Sequence, residues 1–238
     1  AIHTRPAMPS REVAHRGKSE DVLAVDISTL VALARVHDGM IEFLAQVGDF
    51  VAADEPLFVL HGGAMAIADH AVHSTVAFGP ERTLEQDPMF AFRIIVDIGL
   101  KALSPAINDP TTAVLALDQV HRLLRMVGRR RLRGEVILDV SGQPRLIFRT
   151  PNWEDYVQVA CSEIRACGTS SLQVVRRMRA MLENLRDTLP EHRRATLEEQ
   201  LDLLDGAIEG HFKRPEELAL ARIPDSQGLG GSSGARRR

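Results

Sequence analysis

Apolar and polar positions run in short alternating stretches through the first third of the chain and recur every three to four residues after it. Short β-strands followed by helices are the elements such a pattern predicts. Residues 22–25 read as a strand. Residues 28–36 read as a helix capped by Ser28, with Leu30, Val31 and Ala34 on one side and Asp38-Gly39 closing it. Strands are expected at 40–47, at Phe50 and Val51 after the Gly48-Asp49 turn, and at 57–60 beyond Pro56. Residues 64–76 read as a helix of small residues running to Gly79-Pro80. Residues 1–20, with Pro6, Pro9 and dispersed basic side chains, lack a period and are expected to be a linker or extended lead-in.

Asp87-Pro88 and Asp109-Pro110 each mark a helix start: the carboxylate accepts from free backbone amides, and proline supplies the helical φ without an amide to satisfy. Thr83 and Gln86 stand at capping-box spacing, which predicts one preliminary turn. On the first helix, Met89, Phe92, Ile94, Ile95, Val96, Ile98, Leu100 and Leu103 cover most of the circumference, and Gln86, Arg93, Asp97 and Ser104 form one narrow polar stripe. A mostly buried helix is expected. Arg93 and Asp97 are then a solvent-facing ribbon or a buried ion pair, and the breadth of the apolar surface favours a largely buried, mutually bonded pair holding the stiff corner 104–110. The second helix shows Ala113, Val114, Leu117, Val120 and Leu124 on one face and stops at Gly128. A hairpin at 135–140 and 145–148 follows, then helices at 153–167, from Ser170 or Ser171 to Leu189, and 191–212. The last two carry seams of Leu172, Val175, Met178, Leu182, Leu185 and Leu189, and of Leu197, Leu201, Leu204 and Ile208. The tail from Pro215 has a disordered composition.

The fold class is therefore α+β and helix-rich. Its expected parts are a lead-in (1–20), a small N-terminal β-rich unit (21–80), a central buried helix pair with a β-hairpin (81–150), a C-terminal three-helix bundle (151–213) and a disordered tail (214–238). The 238 residues suffice for a substantial core, and the charge balance of 29 basic against 32 acidic residues gives no electrostatic signature of a nucleic-acid binder. The most apolar stretch, 89–103, holds Arg93, Asp97 and Lys101, unlike a membrane span. Cys161 and Cys167 fit neither a zinc spacing nor a disulfide framework, so a reducing compartment is expected.

Candidate chemistry is sparse. His70 and His73 share a helical face beside Asp69, with His61 the nearest further ligand, and they are the weak candidates for a metal in a chain expected to have none. Arg82 or Arg93 beside the free amides of the 104–110 corner suggests an anion site. Arg129, Arg130, Arg131 and Arg133 form a basic patch without interleaved aromatics, which reads first as a solvated run and, as a binding surface, suits anionic lipid headgroups rather than nucleic acid. No nucleophile elbow, phosphate loop or dinucleotide fingerprint occurs, so no cofactor is expected and catalysis is not favoured.

Two resemblances stand out. Val47-Gly48-Asp49-Phe50-Val51 with Pro56-Leu57 is similar to half of a biotinyl or lipoyl carrier domain. A carrier's modifiable lysine is missing, since none lies between Lys18 and Lys101. More specifically, Glu81-Arg82-Thr83-Leu84-Glu85-Gln86-Asp87, then Phe92-Arg93, Val96-Asp97 and the run from Lys101 through Ser104, Asn108, Asp109 and Pro110 to Ala113 closely resembles the signature of a bacterial predicted integral membrane protein family, domain of unknown function 2254. The resemblance is specific over 81–124 and extends to about 22–212. It implies the extramembrane portion of a bacterial membrane protein, with at least two apolar stretches of about 20 residues upstream of Ala1. The resemblance supplies that membrane context and no reaction; the expected partners are the upstream helices, anionic headgroups met by the arginine cluster and further copies in a homo-oligomer. The expected role is regulation or assembly, and the reduced cysteines with the arginine cluster favour the cytoplasmic side. An enzyme or a metal or anion site around Arg93, Asp97 and Asn108 is the competing reading.

Overall fold

The structure, a computed structural model, describes residues 8–132 and 134–231. They fold as two compact units, one of residues 8–90 with 134–150 and the other of 91–132 with 151–231.

The first unit holds two small sheets. Strands β1 (Ser10–Ala14), β3 (Gly39–Phe43), β5 (Pro56–Gly62), β7 (Val136–Leu138) and β8 (Pro144–Phe148) form one in the order β1-β5-β3-β8-β7. Its neighbours are antiparallel except β3 and β8, which run parallel with Ile41 opposite Leu146. Strands β2 (Glu20–Val25), β4 (Phe50–Val51) and β6 (Val76–Gly79) form the other, with β2 central. Leu57, Phe58, Val59, Leu60 and His61 of β5 are all buried, as a strand covered on both faces requires. Leu30 and Ala34 of helix α1 (Ile27–Val36) join Ile41, Phe43, Leu60 and Leu146 in one core, where the Phe43 ring lies 5.1 Å from Phe58 and 5.7 Å from Phe148.

Several sequence expectations change here. Asp26, not Ser28, caps α1: its carboxylate accepts from the Thr29 amide at 3.0 Å and from both hydroxyls of Ser28 and Thr29. Part of the lead-in is strand β1, fixed because the Arg11 guanidinium donates to the carbonyls of Met65 and Ile67 and bridges Asp69. The helix expected over 64–76 is a 3-10 turn at Gly63–Ala66, the short helix α2 (Asp69–His73) and strand β6, which pairs with β2. The hairpin read with the central helices completes the sheet of the first unit.

Helix α3 (Pro88–Leu103) begins at the end of the first unit and continues in the second. There α4 (Pro110–Gly128), α5 (Trp153–Gly168), α6 (Leu172–Thr188) and α7 (Arg194–His211) pack together, with short α8 (Pro215–Ala221) against α6 and α7. The expected seams are the buried ones: Val175, Met178, Leu182 and Leu185 of α6, and Leu197, Leu201, Leu204 and Ile208 of α7. The tail is more structured than its composition suggests through 231, while residues 232–238 lie outside the described residues.

Candidate functional site

The polar signature residues fall into three groups. In the first unit the turn at Gln46 and Asp49 is closed by a backbone bond of 3.0 Å and by the Gln46 amide donating to Asp49 at 3.0 Å. Gly48 within it has φ +91, and a Cβ there would lie 2.1 Å from an Arg82 nitrogen and 2.4 Å from Asp87 Oδ2. Glycine is thus required by conformation and by space. Asp87 is buried; Oδ1 accepts from the Phe90 amide at 3.0 Å, capping α3, while Oδ2 faces Arg82 Nε at 3.2 Å. The Arg82 guanidinium lies 5.8 Å over the Phe90 ring. Gln86 Oε1 accepts from the Val25 amide at 3.2 Å and borders a shallow hollow with Asp26, Ser28, Ser74 and Thr75. Hydrogen bonds from Ser28 and Thr29 hold the Asp26 carboxyl down to about 2. Thr83 is exposed, and the preliminary helical turn expected there is absent.

Arg93 and Asp97 are bonded in the second unit, but not as the buried pair the apolar helix predicted. Their side chains are 30% and 58% exposed, and Arg93 also forks onto the two oxygens of Glu163 of α5 at 2.9 and 3.0 Å. The two carboxylates hold the guanidinium above its ordinary pKa, Asp97 most. The burial fails because Ile94 and Ile98 face solvent at 38% and 51% exposure, while Phe92, Val96, Gly99 and Ala102 face the unit's interior.

Nor does that pair hold the corner 104–110. Backbone bonds close it, from the amides of Ile107 and Asn108 to the Ser104 carbonyl and from the Asp109 amide to the Ala102 carbonyl at 2.8 Å. Asn108 takes φ +46, a left-handed conformation that asparagine tolerates better than most residues. Asp109 caps α4 through the Thr112 amide at 3.1 Å and the Thr112 hydroxyl at 2.5 Å, bonds that lower its carboxyl pKa.

The remaining candidates do not converge. His73 Nε2 bonds the Ala14 carbonyl at 2.9 Å, His70 is exposed, and His61 lies 3.3 Å from Glu42. Both members of the histidine pair belong to the first unit and Asp97 to the second. Among the described residues no group of three His, Cys, Asp or Glu side chains is placed to hold a metal. Burial pushes the Cys161 thiol up to about 12, far from a reactive thiolate. Arg129, Arg130 and Arg131 are exposed; Arg133 lies outside the described residues.

Sequence reasoning missed Glu163, and it missed a polar network between α4 and α6. Arg177 donates to Asp118 at 2.7 Å and to His121 Nδ1 at 3.1 Å, and Asn184 Oδ1 accepts from His121 Nε2 and from Arg125. These partners fix the neutral His121 tautomer with its proton on Nε2, and burial pushes the imidazole pKa down. It also missed the end of the chain. Arg176, fully buried, donates to the carbonyls of Ile223, Gly230 and Gly231, while Asp225 collects the amides of Gln227, Gly228 and Gly230. The only signal for these contacts was an excess of arginine on a helix whose apolar seam was already clear.

Among the described residues no helix is long and apolar enough to cross a membrane. The chain is 28% identical over 230 residues to an uncharacterised protein of Mycobacterium bovis and to one of Mycobacterium tuberculosis, a match covering 92% of the chain. It spans only 44% of the length of these relatives. No solved structure matches it. The family model for a predicted membrane protein, domain of unknown function 2254, matches residues 3–184, and with the signature side chains placed as above the chain belongs to that family.

Proposed function

We propose that this chain is the extramembrane part of a bacterial membrane protein and serves assembly or regulation without a catalytic centre of its own. One observation carries the reading: most of the signature polar groups bond one another or the backbone. Asp87 and Asp109 cap helices, Gln86 holds the Val25 amide, and Arg93 is neutralised by two carboxylates. A general acid or an anion cradle needs a group left over for the ligand. The competing enzyme or anion-site reading requires Arg93, Asp97 and Asn108 to act together, yet Asn108 owes its place to a backbone turn. The exposed Arg129, Arg130 and Arg131 support a position beside anionic headgroups on the cytoplasmic side, where each basic residue contributes about 1 kcal/mol.

Two differently tagged copies of the full-length protein, expressed together and extracted from membranes, test the reading. Co-purification that disappears when the region of this chain is deleted is the expected result. Equal co-purification without it removes the assembly role.

A further inference from the structure

The solvent-facing stripe of α3 matches itself. With about 100° of turn and 1.5 Å of rise per residue, Ile94, Ile98 and Lys101 lie within a sector of about 60°, and Asp97 flanks it on the Lys101 side. All four positions are exposed. Isoleucines i and i+4 apart in water, bordered by an acid and a base also four apart, differ from a merely solvated face, which carries its charges without the apolar pair.

We infer that α3 is a docking surface for α3 of a second copy, packed antiparallel about a two-fold axis level with Gly99. This rests on the assembly reading above and names its contact. A two-fold perpendicular to two antiparallel helices brings the same flank of each together and reverses their direction. Asp97 of each copy then faces Lys101 of the other, and Ile98 meets Ile98. A parallel pairing would set like charges side by side. Asp97 is available for the contact because Arg93 engages it through Oδ1 alone, leaving Oδ2 to the partner's ammonium. Gly99 does not take part, since it faces inward toward Ala116 and Ile164. One helical stripe is small beside the roughly 1,200–2,000 Å² of a stable interface, so the contact suits copies already concentrated on a membrane.

Cysteine cross-linking in the full-length protein tests this, on a background in which exposed Cys167 is serine and buried Cys161 is kept. Ile98→Cys should form a disulfide-linked dimer several times more efficiently than Leu115→Cys, an equally exposed position on α4. Adding Lys101→Glu should lower that yield about tenfold through like-charge repulsion with Asp97, and adding Asp97→Lys as well should restore much of it. Thermal melts of each variant identify any loss of folding, and Lys101→Gln, which removes the attraction without adding repulsion, should give an intermediate yield. Equal yields at 98 and 115, or a yield at 98 indifferent to Lys101→Glu, overturn the inference. So does an Ile98→Cys thiol that neither cross-links nor reacts with maleimide, which would mean that another segment covers the stripe. If the tagged copies still co-purify in those cases, assembly stands through another surface; if they do not, both readings fall.

Discussion

Helices α3 and α6 invert what their compositions suggest. The apolar one, α3, leaves Ile94 and Ile98 in water, whereas α6 buries Arg176, Arg177 and Arg179. The difference lies in their neighbours. α6 is packed by α4, α5, α7 and α8, so even its polar positions meet other elements: Asp118 and His121 receive Arg177, Asp205 receives Arg179, and carbonyls of the C-terminal segment receive Arg176. α3 presents its inner face to the unit, and among the described residues nothing covers Ile94 and Ile98 on its outer one. Burial therefore follows position in the packing, and a buried charge persists where the surrounding elements supply partners for it.

The comparison is broken most easily by truncation. Leu182→Ala in α6 should cost about 2–5 kcal/mol by leaving a cavity, against less than about 0.5 kcal/mol for Ile98→Ala in α3, both read from denaturant melts. Similar losses at the two positions would mean that α3 is covered after all. Next in size is Arg177→Met, which strands Asp118 and takes a donor from His121. Because Asp118 is partly exposed, the loss should be about 2 kcal/mol, below the 3–5 kcal/mol of a fully buried pair. Arg93→Ala should cost no more than about 1 kcal/mol, since its carboxylate partners stay solvated. A double-mutant cycle with Asp97→Ala that returned a coupling of several kcal/mol would restore the buried-pair expectation.

The smallest effect concerns pH. His121 is kept neutral in the fold by burial and by the cations of Arg177 and Arg125, although Asn184 and Asp118 oppose the shift. The unfolded chain therefore binds the proton first. Its contribution to stability is complete above the ordinary value of 6.5 and is lost as pH falls from there toward the lowered folded value. Melting temperatures measured across that range should decline more in the native chain than in His121→Gln.

What the sequence made legible was local. Asp87 and Asp109 announce their helices because a cap and its proline are adjacent, and the seams of α6 and α7 repeat within one element. What stayed hidden depends on distant partners. β1 lacks any period of its own, yet Arg11 finds acceptors on a loop far along the chain, and β6 is a strand because β2 lies beside it. Glu163 looks like any helical surface acid until α5 is set against α3. The glycines near the C-terminus suggested disorder, but at Gly228 and Gly230 their positive φ lets the backbone curl around the Asp225 carboxylate.

The parallel pairing of β3 with β8 also bears on how the chain is made. During synthesis β3 emerges early, and the strand that covers its open edge follows only after α3 and α4 have left the ribosome. Until then the nascent sheet offers an unpaired edge to any other extended segment, the usual opening for misassembly. The first unit therefore cannot finish folding before the first two helices of the second have been translated, and a stop placed after α3 should yield an aggregating product rather than a smaller domain.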